Sequence, residues 1–559
     1  MVRTDADVVV IGLGWAGAVV ATELARAGMS VLALERGAVL PSEDNRQSTA
    51  VGRAELMNER IQRADLETFT LRHNDGYAAQ PLRSLGAFLV GDGVGGGGVL
   101  WGGMSPRLAE GALSMRSDLP LELAEWASQV GAQFDDWPMA FDELEPDMAR
   151  FEELIGVSGK AGVIGGVPSS GGNPREGSRS GEYPVVAGHP DAVSQLIAGS
   201  ARAQGIEAYP IPSAQISVAH TNSYGITRAP WGGSDVHIAS PQTTVLPAGL
   251  ATGNLQVVPH TRVRRLERRS GRVVRAVVDG PDGTYEVRAG AFVLATWSLN
   301  NVRTLLLSGI GTPYDPASGG GVVGRNHANH VGARVTGYFP ADLVPEKSPF
   351  PGIALAEFDP WAWGGGEPFI GGAFVTLMGA RYQALNSGQT PPHTGRWGAE
   401  WARALRTFRH RVVTLNILGE VVPTRGRYLD LDPRYRDRWG DPLLRLTYDY
   451  GENERRLVRE VSGRVGEILR AAGAVDVDAA GELTPHYDTV PYQNSHATGG
   501  AIMGQDPRTS VVDPHLACWE ARNLWVVGSS AFPNAGAANP TVTVGALALR
   551  ASRAIAGQI

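Results

Sequence analysis

A chain of 559 residues with one cysteine, Cys518, cannot form an internal disulfide, a cysteine-ligated zinc site or a protein-held iron–sulfur cluster. Long apolar runs are also missing. None reaches the roughly 18–20 residues that a membrane helix needs, and no basic region with an apolar leader opens the chain. The expectation is therefore a cytoplasmic protein without membrane insertion or an export signal of its own. Basic charge is not in excess either: the formal net charge of −7 gives no reason to expect a nucleic-acid partner. Its length exceeds one typical core, so two domains, or one large discontinuous one, are expected.

What is present begins at Val8 with "VVVIGLGWAGAVVATELARAGMSVLALERG". Val8–Ile11 suits a buried parallel strand, the Ala-rich segment through Arg26 has helical spacing, and Ser30–Leu34 reads as a second strand. Between them Gly12 permits the tight turn, Gly14 leaves room for a pyrophosphate, and Gly17 lets helix and strand approach. The backbone of Trp15 and Ala16 opens the helix, whose free amides face the phosphates. Glu35 ends the second strand, where this architecture hydrogen-bonds an adenosine ribose, which argues against NADP. Glycine triplets alone are weak in a chain with 72 glycines, but strand, turn, helix, strand and acid agree here. These residues leave FAD and NAD as alternatives.

Ser42–Asn74 is polar and reads as a surface excursion. "FLVGDGVGGGGVLWGGMSPR" (Phe88–Arg107) is too apolar at its flanks for a linker and suggests backbone held against a flat ligand. A helix is expected within residues 137–158, and irregular surface from Gly159 to Pro190. Strands joined by turns at Ser270-Gly271 and Pro281-Asp282-Gly283 follow, then a helix in "SLNNVRTLLLSGIG". This group reads as the second half of a nucleotide-binding sheet, so that domain is assembled from distant pieces. Residues 322–491, with "PWAWGGGEPF" and "RVVTLNILGEVV", read as a mixed β-sheet domain.

The C-terminal "HATGGAIMGQDPRTSVVD" and "VVGSSAFPNAGAANPTVTVGALALRA", with "GDGVGGGGVLW", "RTLLLSGIGTPYDP" and "VVGRNHANH", resemble the glucose–methanol–choline (GMC) oxidoreductases over nearly the whole chain. Within that family the chain is similar to the flavoprotein large subunits of gluconate and fructose dehydrogenases. The resemblance implies an α/β fold: a Rossmann-like FAD domain from residues 1–120, 235–325 and 490–559, and a mixed-sheet substrate domain from 121–234 and 326–489. It implies FAD and the oxidation of an alcohol. By motif position, His496 is the base for the hydroxyl proton while hydride leaves for flavin N5, and Asn539 orients the hydroxyl. Asn539 before Pro540 and a helical run also has the pattern of an N-cap. Further FAD contacts are implied at Arg36, Gly95, Gly96, Val99, Leu100, Trp101, Val263, Gly528, Ser529, Pro540 and Thr541.

Two departures carry consequences. Relatives that tether FAD do so through a histidine before the glycine-loop tryptophan; here that residue is Leu100, so the resemblance implies non-covalent FAD. The dehydrogenase subunits resemble one another in a cysteine cluster, but "NSYGITRAPWGGSDVHIASPQTTVLP" has no cysteine. Electrons must then pass directly to oxygen, a quinone or a diffusible carrier. The substrate expected is a secondary hydroxyl of a sugar, glycoside, polyol or aldonate. A C2 or C3 sugar oxidase producing H2O2 is the alternative, and a flavin-binding partner or a biosynthetic lyase without net oxidation is the alternative of another class. His327 and His330 have H-x-x-H spacing, but without nearby cysteines or an H-E-x-x-H helix no metal is expected. The arginine-rich "RALRTFRHRVV" would serve an aldonate only if it faced the cavity. Oligomeric state is left open.

Overall fold

The computed structural model describes residues 5–39, 61, 64, 67–83, 88, 90–230, 238–343, 352–356, 368–378, 389–479, 481–489 and 495–558. The expected excursion from Ser42 lies outside them up to residue 60, as do residues 231–237 of the cysteine-free stretch and most of "PWAWGGGEPF".

Val8, Val9 and Val10 are wholly buried, as expected of a strand covered on both faces. The strand Asp5–Ile11 lies between Val31–Leu34 and Gly283–Leu294, parallel to both, with Val8 opposite Val31 and Val9 opposite Phe292. Leu255–Val258 continues the parallel sheet beyond Val31–Leu34, and Leu524–Val526 pairs parallel to Gly283–Leu294. On the other flank, Arg262–Arg269 and Arg272–Gly280 extend Gly283–Leu294 as an antiparallel ribbon. Its first hairpin turns at Ser270 and Gly271, both at positive φ (50° and 71°), the backbone that suits the twist of a two-residue hairpin. This seven-stranded sheet draws on three distant parts of the chain.

The helix Trp15–Arg26 follows the first strand, and Phe141–Ile155 sits beside the last helix, Thr541–Ala556. These two helices pack so closely that a Cβ on Gly545 would stand 2.2 Å from the Phe151 ring. Glu152 on Phe141–Ile155 is buried between Arg107 and Arg179, which pins the chain leaving the glycine loop and part of Gly159–Pro190 to one helix. Paired and hydrogen-bonded, these charges tolerate burial. Gly159–Pro190, expected to be irregular surface, instead holds the short strands Val163–Ile164, Val167–Pro168 and Val185–Val186 and the buried Ala161, Arg179 and Tyr183.

A second sheet has the order Asp476–Ala479, His330–Tyr338, Val412–Glu420, Ala373–Met378, Gly352–Leu355 and Ala208–Pro210, antiparallel throughout. His330 opens its strand opposite Glu420, the last residue of its neighbour, and both are buried. A third sheet joins Tyr428–Arg436 and Pro442–Thr447 to Phe69–Arg72 and Gln80–Pro81. Phe69–Arg72 falls in the stretch expected to be a surface excursion, yet Phe69 and Thr70 are buried; pairing with Leu444–Thr447, far away in sequence, decides this.

Candidate active site

One cavity of about 450 Å³ runs between the parallel sheet, the glycine loop and the start of the last helix. Its wall includes Gly12, Gly14, Trp15 and Ala16 of the first turn, and a Cβ on Gly14 would meet no protein atom within 4 Å. The helix Trp15–Arg26 has no side-chain cap, so its first N–H groups are not claimed by a capping residue. Gly17 is not on the wall: its Cβ would stand 1.9 Å from the Gly12 carbonyl oxygen, so it serves helix–strand approach as expected.

The glycine loop folds over this turn. Gly96 sits at φ +50°, and a Cβ there would come within 2.9 Å of Gly14 Cα, so the two backbones touch. Gly96, Leu100 and Trp101 line the cavity, whereas Gly95 and Val99 do not. The Gly95 N–H donates to the Leu13 carbonyl (2.8 Å), and Val99 is buried in the 3-10 turn, so they shape the loop from behind. Trp101 meets Trp15 edge to face at 5.5 Å, and the buried Trp15 Nε1 has no protein partner.

At the Glu35 end the wall is heavily charged. The Glu35 carboxylate accepts from the Leu13 and Gly37 N–H groups, both at 3.0 Å. Arg36 pairs with Glu67 (2.8 Å) and Asp92 (3.0 Å). Glu67 also pairs with Arg303, which reaches Asp437 at 2.7 Å. Asp437 then holds Arg262 at 2.9 Å, and Asp441 holds Arg262 and Arg264 at 3.2 and 3.1 Å. Burial alone would raise the Glu67 carboxyl, but Arg36 and Arg303 hold it below its ordinary value. Arg262, Arg264, Arg303 and Glu67 line the cavity beside the expected Glu35, Arg36 and Val263, and sequence reasoning missed them. The repeated arginines of "RVRRL" were the available signal; Asp279 lies nearby in sequence at 3.7 Å from both Arg262 and Arg264, but their hydrogen-bonded partners Asp437 and Asp441 lie some 175 residues away.

The other end is neutral. His496 and Asn539, 43 residues apart, meet with Asn539 Nδ2 3.2 Å from His496 Nε2, and both line the cavity with Ser495, Gly528, Ser529, Pro540 and Thr541. Asn539 Oδ1 is buried without a protein partner. Behind them, His496 Nδ1 lies 3.0 Å from His330 Nδ1, and His330 Nε2 lies 2.8 Å from the Gly536 carbonyl oxygen. Burial, with His330 adding to it, pulls the His496 imidazole down to about 3, and burial takes His330 to about 4. Both rings are therefore neutral near pH 7, as a base must be before it accepts a proton.

Asn539 does not cap the last helix. That helix starts at Thr541 with Pro540 as its cap residue and no side-chain cap bond, one residue later than the local pattern suggests. The amide turns to His496 instead. His327 and His330 do not face a common ion: His327 Nδ1 contacts the Thr498 carbonyl oxygen (3.2 Å) while His330 faces His496. His73, Asp449 and His486 cluster elsewhere, but the two imidazoles stack 17° from parallel at 4.4 Å, and no ion can lie in both ring planes at once. The helix Gly398–Phe408, which carries most of "RALRTFRHRVV", has no buried residue and none on the cavity wall.

The residues present fit a flavin dinucleotide. Open space over Gly14, a carboxylate at the second strand's end and unpartnered buried Trp15 Nε1 and Asn539 Oδ1 lie along one continuous wall.

Comparison with known proteins is consistent with this geometry. The two models described as GMC oxidoreductase match residues 82–332 and 423–548. The gluconate 2-dehydrogenase flavoprotein of Pantoea cypripedii is 33% identical, over 99% of this chain and 94% of that protein. The fructose dehydrogenase large subunit of Gluconobacter japonicus is 26% identical, over 99% and 98%. Among solved structures, pyridoxine 4-oxidase from Mesorbium loti shares the fold with a TM-score of 0.63 at 20% identity, covering 98% of each chain.

Proposed function

The chain belongs to the GMC oxidoreductase family, FAD-dependent enzymes acting on alcohols, and from that premise we propose that it oxidises a secondary hydroxyl of a sugar, glycoside, polyol or aldonate with His496 as the base. The observation that carries this reading is the contact between His496 Nε2 and the Asn539 amide on the cavity wall. A substrate hydroxyl placed there donates its proton to Nε2 while its oxygen accepts from Asn539 Nδ2, which aims the carbinol C–H bond away from the imidazole. FAD, when bound, supplies the acceptor for the departing hydride at N5. Gly14, Trp15, Ala16, Gly96, Glu35 and Val263 hold the dinucleotide in this reading, with residues 1–120, 235–325 and 490–559 as the flavin-binding part and 121–234 and 326–489 as the substrate part. Leu100 offers no nucleophile for a tether, so the FAD is non-covalent and should leave the protein on acid precipitation; colour retained in the pellet overturns this.

A panel of aldonates, ketoses, polyols and glycosides offered without oxygen tests the substrate class by bleaching of the flavin. Reduction only by primary alcohols, or by none of these compounds, defeats the secondary-hydroxyl reading. Because Cys518 is the only cysteine, no cluster in this chain carries electrons onward. Repeating turnover with oxygen alone and with a dye alone separates the oxidase from the dehydrogenase.

A further inference from the structure

The contacts behind His496 settle a question that the motif leaves open, namely which of its two nitrogens carries the proton. A carbonyl oxygen only accepts, so His330 Nε2, 2.8 Å from the Gly536 carbonyl, must be the protonated nitrogen of His330. Burial keeps that ring neutral at pH 7, so its Nδ1 is a bare lone pair. His496 Nδ1, 3.0 Å away, then has to be the donor. With one proton on the neutral His496 ring, Nε2 is left as an acceptor, and the Asn539 Nδ2–H group pointing at it from 3.2 Å agrees. The Ala535 carbonyl also acts on the His330 ring beside that of Gly536; with Nε2–H donating to Gly536, the contacts with His496 and Asn539 each admit one assignment.

The carbonyl itself is firmly held. Gly536 sits at φ +61°, and a Cβ there would meet Leu108 Cδ2 at 2.5 Å, so no other residue type presents the peptide this way without displacement. The Gly536 N–H is directed at the buried carboxyl of Glu420, the cross-strand neighbour of His330.

We propose that His330 is a positioning residue that fixes His496 in the form protonated at Nδ1, making Nε2 the basic atom that faces the cavity. When Nε2 gains a proton, the Nδ1–H already donates to the His330 lone pair, so the new positive charge is met by an acceptor with no rearrangement of side chains. Without His330, the acceptor that draws the His496 proton to Nδ1 is gone, and a ring protonated at Nε2 presents no base to the cavity. The functional weight of this assignment rests on His496 being the base proposed above; the assignment of the proton does not.

The test compares His330→Leu, which cannot accept a hydrogen bond, with His330→Gln, whose amide oxygen can. In protein with 15N-labelled histidine, long-range 1H–15N spectra distinguish protonated from bare ring nitrogens, and His496→Gln identifies the signals. The wild type should show His496 protonated at Nδ1 and bare at Nε2, and His330→Leu should lose that pattern. Anaerobic flavin reduction should slow by roughly two decades or more in His330→Leu, since a mis-set tautomer alone costs up to about four decades in other histidine-base sites. His330→Gln should restore most of the rate. A wild-type spectrum with His496 protonated at Nε2, or a His330→Leu protein unchanged in spectrum and rate, overturns the proposal. Should His330→Leu fail to fold, the wild-type spectrum alone still decides. If His496→Ala keeps the wild-type rate while the spectrum stands, the base assignment falls and the tautomer assignment survives.

Discussion

The two ends of the cavity solve opposite problems. At the Glu35 end four arginines, Arg36, Arg303, Arg262 and Arg264, alternate with Glu67, Asp437 and Asp441 in a chain of ion pairs. At the His496 end two imidazoles and an amide line up with no formal charge near neutrality. Charge used as a frame must be permanent and paired, whereas a proton acceptor must be uncharged and withheld from water. A single wall supplies both because it is built from different sheets: the ion pairs link the parallel sheet's ribbon to the Tyr428–Arg436 hairpin, and the imidazoles lie where the second sheet meets the last helix.

If this division holds, damage at one end should appear as lost rate and at the other as lost stability. The largest expected effect is on His496→Ala, which should slow anaerobic flavin reduction by roughly two to four decades, the usual range for a positioned acid or base, with FAD still bound and the urea midpoint nearly unchanged. Stopped-flow reduction at the wild-type rate removes His496 from the chemistry. At the charged end, Arg303→Met removes one of two arginines from both Glu67 and Asp437, leaving Arg36 and Arg262 in place, and should cost less stability than the about 3–5 kcal/mol of a fully uncompensated buried charge, read from urea unfolding, while the bound enzyme reduces at near the wild-type rate. A midpoint that does not move would mean that the ion pairs are dispensable.

Asn539→Asp is a sharper probe of the neutral end. An aspartate cannot donate to His496 Nε2 and would draw the ring proton toward that atom, so reduction should slow at least about tenfold, or 1.4 kcal/mol of barrier, with the melting temperature nearly constant. Since Asn539 makes no cap bond, Asn539→Ala should spare the stability of about 1 kcal/mol that loss of a cap would cost; a clear drop in its melting temperature would restore a structural role.

The smallest effect is the pH dependence of stability. Burial holds His327 and His330 at about 4 and His496 at about 3 in the folded protein, below the ordinary 6.5. The unfolded chain therefore binds more protons below about pH 6.5, and stability is full above that value and falls as pH drops toward 4. Glu420, raised by burial to about 7, works the other way, losing its contribution as pH rises through 7. His327→Asn should flatten the slope of unfolding free energy against pH by up to about 1.4 kcal/mol per unit; an unchanged slope between pH 6.5 and 4.5 would place that histidine's proton elsewhere.

What the sequence made legible follows from range. Gly12, Gly14, Gly17 and Glu35 could be read because turn, helix and strand are neighbours in sequence, and the requirements on them are local. Arg36 was singled out, but not its pairing with Glu67, because the strand Phe69–Arg72 that follows residue 67 is placed by pairing with Leu444–Thr447. His330 was visible in the H-x-x-H spacing, yet its partner is decided by a strand start and a loop 166 residues later. Asn539 shows local pattern misleading: Asn-Pro before a helix is good capping chemistry, and the contact with His496 overrides it.

The parallel sheet has a consequence for how the protein is made. Its first strand emerges at residue 5, but the strand Leu524–Val526 that flanks its long partner, and the helix Thr541–Ala556 that closes the cavity, emerge long after it. Asp437 and Asp441, which neutralise the arginines of the ribbon, also arrive late. Until Leu524–Val526 and Thr541–Ala556 have emerged, a nascent chain therefore carries its dinucleotide turn without the walls that would retain a ligand, and cofactor loading must wait for those segments. Chains stalled on the ribosome before residue 524 should hold no flavin, and the amount of active enzyme in a cell should follow the flavin available after release.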